Sequence, residues 1–198
     1  MIRIRDTILK LRDFAGVEIV YGGERLCIDI LYPLQCDYIL YTHNHPRHSP
    51  DSILLERFSD RIYSLFYGNK IKIGERIKIS DHFIVESVEA FSWRYPEYHS
   101  RGSGAGFIVE SDLRIYHTGD SDLSRDILSS VRGGVDVLII PIEGLGVYTP
   151  EEAVEVVRSL RPSISIPIHF QDTDSFYIFR DMAQPYTQVV LLGRERSG

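Results

Sequence analysis

With 198 residues, 43% of them hydrophobic and 25% charged, the chain is long enough to bury a core and has a globular composition, which excludes the disordered and membrane classes. No apolar run reaches the roughly 18–20 residues of a spanning helix. The net charge of −6 argues against a nucleic-acid surface, because phosphate binding draws on clustered Lys and Arg.

Met1-Ile2-Arg3-Ile4-Arg5-Asp6 alternates apolar and charged residues, which predicts a strand rather than a signal peptide. The expectation is a single cytoplasmic domain over residues 1–198. Val17 to Tyr21 and Arg25 to Ile30 flank Gly22-Gly23, a hairpin signal. Tyr38-Ile39-Leu40-Tyr41 is a short apolar run ending at Thr42-His43. Pro50 and Asp51 open a helix carrying Ile53, Leu54, Leu55 and Phe58. Strands are predicted near 62–66, over 71–79 with a break at Gly74-Glu75, and over 83–88. Trp93 to Gly106 is aromatic, contains Pro, Ser and Gly, and has no period, so it reads as a loop. Phe107-Ile108-Val109 and Leu113 to His117 form a hairpin about Ser111-Asp112.

Strands then alternate with helices. Leu123, Ile127, Leu128 and Val131 have helical spacing, and Val135 to Ile140 is a buried-strand run. Thr149-Pro150-Glu151-Glu152 has the form of a capping box with proline at the first helical position. The helix behind it carries Ala153, Val154, Val157 and Leu160. Ile164, Ile166 and Ile168 alternate up to His169, and Pro167 marks an edge or irregular position. The pattern suggests an α/β sandwich of two sheets covered by helices. Cys27 and Cys36 lack C-x-x-C spacing and read as two buried thiols.

The chemistry concentrates in histidine. Three of the seven histidines fall within six positions: His43, His45 and His48. In extended backbone, residues two apart share a side, so His43 and His45 can aim at one site and a turn can add His48. Imidazole suits zinc, iron, nickel or copper, whereas magnesium and calcium prefer oxygen. Further donors must come from elsewhere. His99 lies in the 93–106 loop, Asp120 follows a hairpin end, and His169 ends a strand. Singly, His99 and His169 read equally well as solvated residues, and Asp120 as a helix cap. Gln171-Asp172-Thr173-Asp174 offers spare oxygen ligands of lower rank. His82 reads as a strand-edge histidine.

Thr42-His43-Asn44-His45-Pro46-Arg47-His48 resembles the T-H-x-H-x-D-H signature of the metallo-β-lactamase superfamily. Tyr98-His99-Ser100, Tyr116-His117-Thr118-Gly119-Asp120 and Ile166-Pro167-Ile168-His169-Phe170 match later landmarks in order. The wording is closest to the small L-ascorbate-6-phosphate-lactonase-like branch and its uncharacterised metal-dependent hydrolases. The resemblance implies an αββα sandwich of two mixed β-sheets flanked by helices. It also implies a first metal on His43, His45 and His99, and a second on His48 and His169, with Asp120 bridging. Zinc is the implied metal, with iron, manganese or nickel as alternatives. His117 would support the site without ligating.

Position 47 departs from the pattern, which places a ligating aspartate there. Arg47 is permanently charged and cannot serve as a base. A unit positive charge about 5 Å from a divalent cation, at an effective dielectric near 20, costs roughly 6–7 kcal/mol. One occupied metal is therefore expected, with Arg47 paired to Asp120 or to an anionic substrate. The reading is a hydrolase of a small ester, lactone or phosphoester. Its alternative is an attenuated metal- or ligand-binding domain on the same fold. Neither nucleic acid nor membrane is an expected partner, and no pattern specifies an oligomer.

Overall fold

The computed structural model describes residues 1–194. The chain first runs through β1 (Ile2–Ile4), β2 (Thr7–Leu11), β3 (Val17–Tyr21), β4 (Glu24–Ile28), β5 (Tyr38–Tyr41), α1 (Ser52–Arg57), β6 (Ile62–Ser64) and β7 (Asn69–Lys70). It continues through β8 (Arg76–Lys78), β9 (Ile84–Ala90), β10 (Gly104–Glu110), β11 (Arg114–His117) and α2 (Arg125–Ser130). Last come β12 (Val137–Pro141), α3 (Pro150–Leu160), β13 (Ile164–Ile168), α4 (Thr173–Ala183) and β14 (Gln188–Val189).

Two seven-stranded sheets result, ordered β1 to β7 and β14 back to β8. Each is mixed: β1 to β4 and β8 to β11 pair antiparallel, whereas β4 to β7 and β11 to β14 pair parallel. Leu9, Ile19, Leu26 and Leu40 of the first sheet meet Val85, Phe107, Ile115 and Ile139 of the second in a shared core. Successive strand residues point to opposite faces, so Ile108, Tyr116, Leu138 and Ile140 turn the other way. They pack under the helices against Ile127, Val154, Val157 and Phe179. On the outer face of the first sheet, Cys27, Ile39 and Tyr41 pack against Leu55 and Phe58. This is the αββα sandwich, with β10 and β12 apolar on both faces because both are covered.

The capping box forms as predicted: Thr149 Oγ1 accepts from Glu152 N, and Glu152 Oε2 accepts from Thr149 N. Pro167 fits because β14 pairs only with Ile164 and Ser165, which leaves the sheet locally edged beside it. Four expectations need correction. Residues 71–75 are no strand; they carry the chain from β7 in one sheet to β8 in the other. The loop is shorter than predicted, since β10 starts at Gly104 and pairs with Ala90. Asp172 is the N-cap of α4, its side chain accepting from Ser175 N. Finally, Cys27 and Cys36 are joined in a disulfide, with Cα atoms 5.9 Å apart, inside the range that a bridge requires. The connection from β4 to β5 doubles back past Pro33, where Cys36 N bonds Pro33 O. Linear spacing conceals that fold-back.

Candidate metal centre

The cluster lies where strands of both sheets end. His43 to His48 follow β5 in a bend and a turn, in which His48 N and Ser49 N both bond His45 O. The histidines therefore do not alternate along a strand; the turn aims them. His43 and His48 are buried, with ring centroids 4.2 Å apart. His45 is half-buried, its ring 5.7 Å from that of His43 and 5.8 Å from that of His48.

The second sheet supplies the rest. Gly106 permits it: a Cβ there would stand 2.5 Å from Thr118 O and 2.7 Å from His117 O. Its absence lets the chain after β11 cross β10 closely and deliver Asp120. His99 is held by its own backbone, bonding Tyr95 O through its N and Ser92 N through its O. The loop is braced in turn by Asp122, which accepts from Ser92 Oγ, Arg94 N and the Arg94 guanidinium, while Arg94 also reaches Glu152 at the start of α3. His169 adopts φ +53° at the end of β13, and its N bonds Phe14 O.

The outcome is a convergence on one atom. Asp120 Oδ2 lies 3.8 Å from His43 Nε2, 3.2 Å from His48 Nε2, 3.5 Å from His99 Nε2 and 3.6 Å from His169 Nε2. Three overlapping sets of donors each fall within 4.8 Å: His43–His45–His48, His43–His99–Asp120 and His48–Asp120–His169.

Asp29, which the motifs do not include, organises two of these rings. It is fully buried just past β4 and adopts φ +53°. Its Oδ1 accepts from Thr42 N at 2.8 Å, and its Oδ2 accepts from Thr42 Oγ1 at 2.7 Å and stands 2.8 Å from His48 Nδ1. A carboxylate only accepts, so His48 carries its proton on Nδ1. Thr42 Oγ1 spends its proton on Asp29 and must accept from His43 Nδ1, 2.9 Å away. His43 Nε2 is thereby left with a lone pair, buried without a hydrogen-bond partner, while His48 Nε2 stands 3.2 Å from Asp120 Oδ2, close enough to share a second ring proton with that carboxylate. Glu143 Oε2 stands 3.1 Å from His169 Nδ1, within ion-pair distance, although that nitrogen makes no hydrogen bond.

Burial holds His43 neutral, its pKa lowered to about 3; it also lowers His45 and His169. Burial alone would do the same to His48, but Asp120 and Asp29 outweigh it and push His48 up to about 10. Asp120 is buried too, yet the surrounding histidines hold it well below the ordinary carboxylate range. Buried neutral imidazoles grouped about an ionised carboxylate, with His48 giving up its second proton on binding, are a donor set that fits a zinc-like cation.

The remaining expectations sort by contact. His117 spends both nitrogens on backbone, Nε2 on Ala15 O and Nδ1 accepting from Gly119 N. His82 stands edge-on to Tyr21, away from the cluster. Asp120 caps no helix, since α2 begins at Arg125 behind Ser124. Arg47 does not pair with Asp120: its side chain is exposed and its guanidinium lies 5.3 Å from the centre of the Phe14 ring. The turn that buries His48 turns Arg47 outward.

A profile of the β-lactamase superfamily domain matches residues 13–169. The chain belongs to the β-lactamase superfamily. A UPF0173 protein of Pyrococcus abyssi is 30% identical over 147 residues, covering 68% of this chain and 66% of its own length. The chain thus spans just under two thirds of that relative. A UPF0173 metal-dependent hydrolase of Thermococcus onnurineus is 28% identical over 182 residues, covering 79% of this chain and 81% of its own. A crystal structure from Parabacteroides distasonis superposes with TM-score 0.82 at 21% identity, covering 96% of this superfamily member and 94% of that chain. Among the described residues, no helix is long and apolar enough to cross a membrane.

Proposed function

We propose that this chain is a metal-dependent hydrolase of a small ester, lactone or phosphoester. The observation that carries this reading is the convergence of four histidine Nε2 atoms on Asp120 Oδ2. The metal, zinc first, would be held mainly by His43, His45 and His99. His48, His169 and Asp120 would form a second position, weakened because Arg47 replaces the ligating aspartate of the superfamily pattern. A metal bound there supplies Lewis acidity and a water acidified toward neutral pH. The chain's own groups do the rest. Asp29 and Thr42 fix the ring protons of His48 and His43 on Nδ1. Glu143 faces Nδ1 of His169, and Asp120 stays ionised. Substrate would enter a cavity of about 340 Å³ lined by His45, Arg47, Tyr95, Tyr98, Glu143 and His169 among others.

Metal analysis with a panel of p-nitrophenyl esters and phosphodiesters tests the proposal. Turnover that chelation and His43→Ala both abolish supports it. Bound metal without turnover on the panel overturns the hydrolase reading, and two tightly bound metals per chain overturn the weakened second position. Arg47 itself favours a second reading, an attenuated ligand-binding domain. If that reading holds, Arg47→Asp raises hydrolysis by about tenfold or more, the scale of a restored transition-state contact.

A further inference from the structure

Two arginines share one aromatic ring at the edge of the site. Arg47 lies 5.3 Å and Arg194 5.0 Å from the centroid of Phe14, so the guanidinium carbons are no more than about 10 Å apart. Phe14 in turn packs 4.3 Å from the ring of His169. None of this is incidental to the backbone. Phe14 O accepts from His169 N, and Arg194 is bridged to Leu11 at the end of β2. Arg194 also reaches Phe170 O.

Both guanidiniums are exposed, and among the described residues neither has a carboxylate within ion-pair distance. Arg3, Arg76, Arg101 and Arg158 do have one. The nearby Glu143 carboxylate is committed, lying 3.1 Å from His169 Nδ1 and accepting from Gln171 Nε2. Among the described residues, these two exposed guanidiniums without a paired carboxylate make a local positive patch on a chain of net charge −6, a feature that favours an anionic visitor. The ridge they form separates two cavities that share His169. One is the pocket over the histidine cluster. The other, about 300 Å³, is apolar, with Leu11, Ile168, Phe170, Leu191 and Leu192 in its wall.

We propose that Arg47 and Arg194, flanking Phe14, form an oxyanion-binding ridge, and that the substrate is an amphiphilic anion. Its phosphate or carboxylate sits on the ridge, its apolar group fills the second cavity, and its scissile bond reaches over the cluster. This deepens the hydrolase reading and rests on it for the last clause only. Guanidinium offers planar paired donors to an oxyanion. An apolar tail adds about 0.8 kcal/mol per buried methylene, or about fourfold in affinity for each.

The test is binding of n-hexyl phosphate by calorimetry, to the chain as purified and again after chelator treatment, with inorganic phosphate and n-hexanol as comparison probes. Hexyl phosphate is expected to bind at least about tenfold more tightly than either probe, as both the charge and the tail contribute. Arg47→Gln and Arg194→Gln should each weaken it about tenfold with and without metal, as expected for a lost charge-assisted contact. Raising salt from about 50 to about 300 mM should weaken it further. Both positions are exposed, so unchanged melting temperatures verify folding. Binding that both substitutions leave unaltered, or hexanol binding as well as hexyl phosphate, overturns the ridge. In turnover, the preference for anionic over neutral esters should fall about fivefold or more in either variant. A chain that binds hexyl phosphate through both arginines yet hydrolyses nothing overturns only the hydrolase reading. A chain that hydrolyses neutral esters and ignores the anion overturns only the ridge.

Discussion

Asp29→Asn is the substitution that tests the site's architecture most directly. Asn is isosteric with Asp and also tolerates a left-handed backbone, so the φ of +53° at position 29 adds no new strain. What changes is hydrogen bonding. Asp29 Oδ1 takes Thr42 N, and Oδ2 takes Thr42 Oγ1 and His48 Nδ1. An amide has one oxygen. In either orientation its NH₂ faces at least one buried donor, and an unsatisfied buried donor costs about 1–3 kcal/mol. At roughly 2–4 °C per kcal/mol for a chain of this size, the melting temperature should fall by about 2–12 °C. The metal effect is separate: a buried carboxylate behind a ligating histidine is worth about 10–100-fold in affinity. A chromophoric chelator competing for zinc measures that, with a thermal melt of the chelator-treated protein alongside. Zinc affinity within about twofold of wild type, with the expected loss of stability, would refute the claim that Asp29 sets the His48 and His43 tautomers, since a 10–100-fold loss is required.

Further outcomes follow from other parts of the fold. Arg94→Met leaves Asp122 buried beside Glu152 without its cation and should cost about 3 kcal/mol in urea denaturation. Burial alone would raise Asp122, but the Arg94 hydrogen bonds and charge outweigh it and hold its pKa below the ordinary value. In wild type its contribution is therefore present above the unfolded carboxylate pKa and is lost as pH falls through the lowered folded value. In Arg94→Met, acid unfolding should begin at higher pH; identical acid profiles would count against the pairing. Replacing both cysteines by serine removes a bridge of sequence separation 9 and should cost about 3 kcal/mol, and the unreduced, denatured wild type should show no titratable thiol. Gly146→Ala sets a Cβ 3.2 Å from His99 Cε1 and Nδ1 at φ +74°. It should cost about 1–2 kcal/mol of backbone strain and lower zinc affinity, whereas unaltered affinity would show that His99 moves freely.

Local signals made most of the framework legible. The Gly22-Gly23 hairpin, the capping box at Thr149 and the apolar runs at 38–41 and 135–140 each depend on near neighbours, and each formed. So did the gathering of His43, His48, His99, Asp120 and His169, which the superfamily pattern supplied in order. What escaped depends on distance. Asp29 falls inside the predicted strand run from Arg25 to Ile30 with little to single it out, because its partners lie 13 and 19 positions away. The one available hint is a carboxylate between Ile28 and Ile30. Glu143 is hidden likewise behind its partner His169. α4 is obscured because Gln171 to Asp174 look like oxygen ligands, although Phe176, Phe179 and Ala183 behind them keep helical spacing. Arg47 was conspicuous as a departure from the pattern, but its direction was set by Phe14, a contact no linear motif contains.

Each sheet is woven from one uninterrupted stretch of chain, residues 2–70 and 76–189. The cluster is divided along the same line: His43, His45 and His48 belong to the first stretch, and His99, Asp120 and His169 to the second. A bound cation would therefore act as a rivet between halves that otherwise meet mainly through apolar side chains. Its affinity would gauge how well the two sheets are seated on each other. Core substitutions far from any histidine, at Leu26 or Phe107 for example, should then register as a change in metal binding.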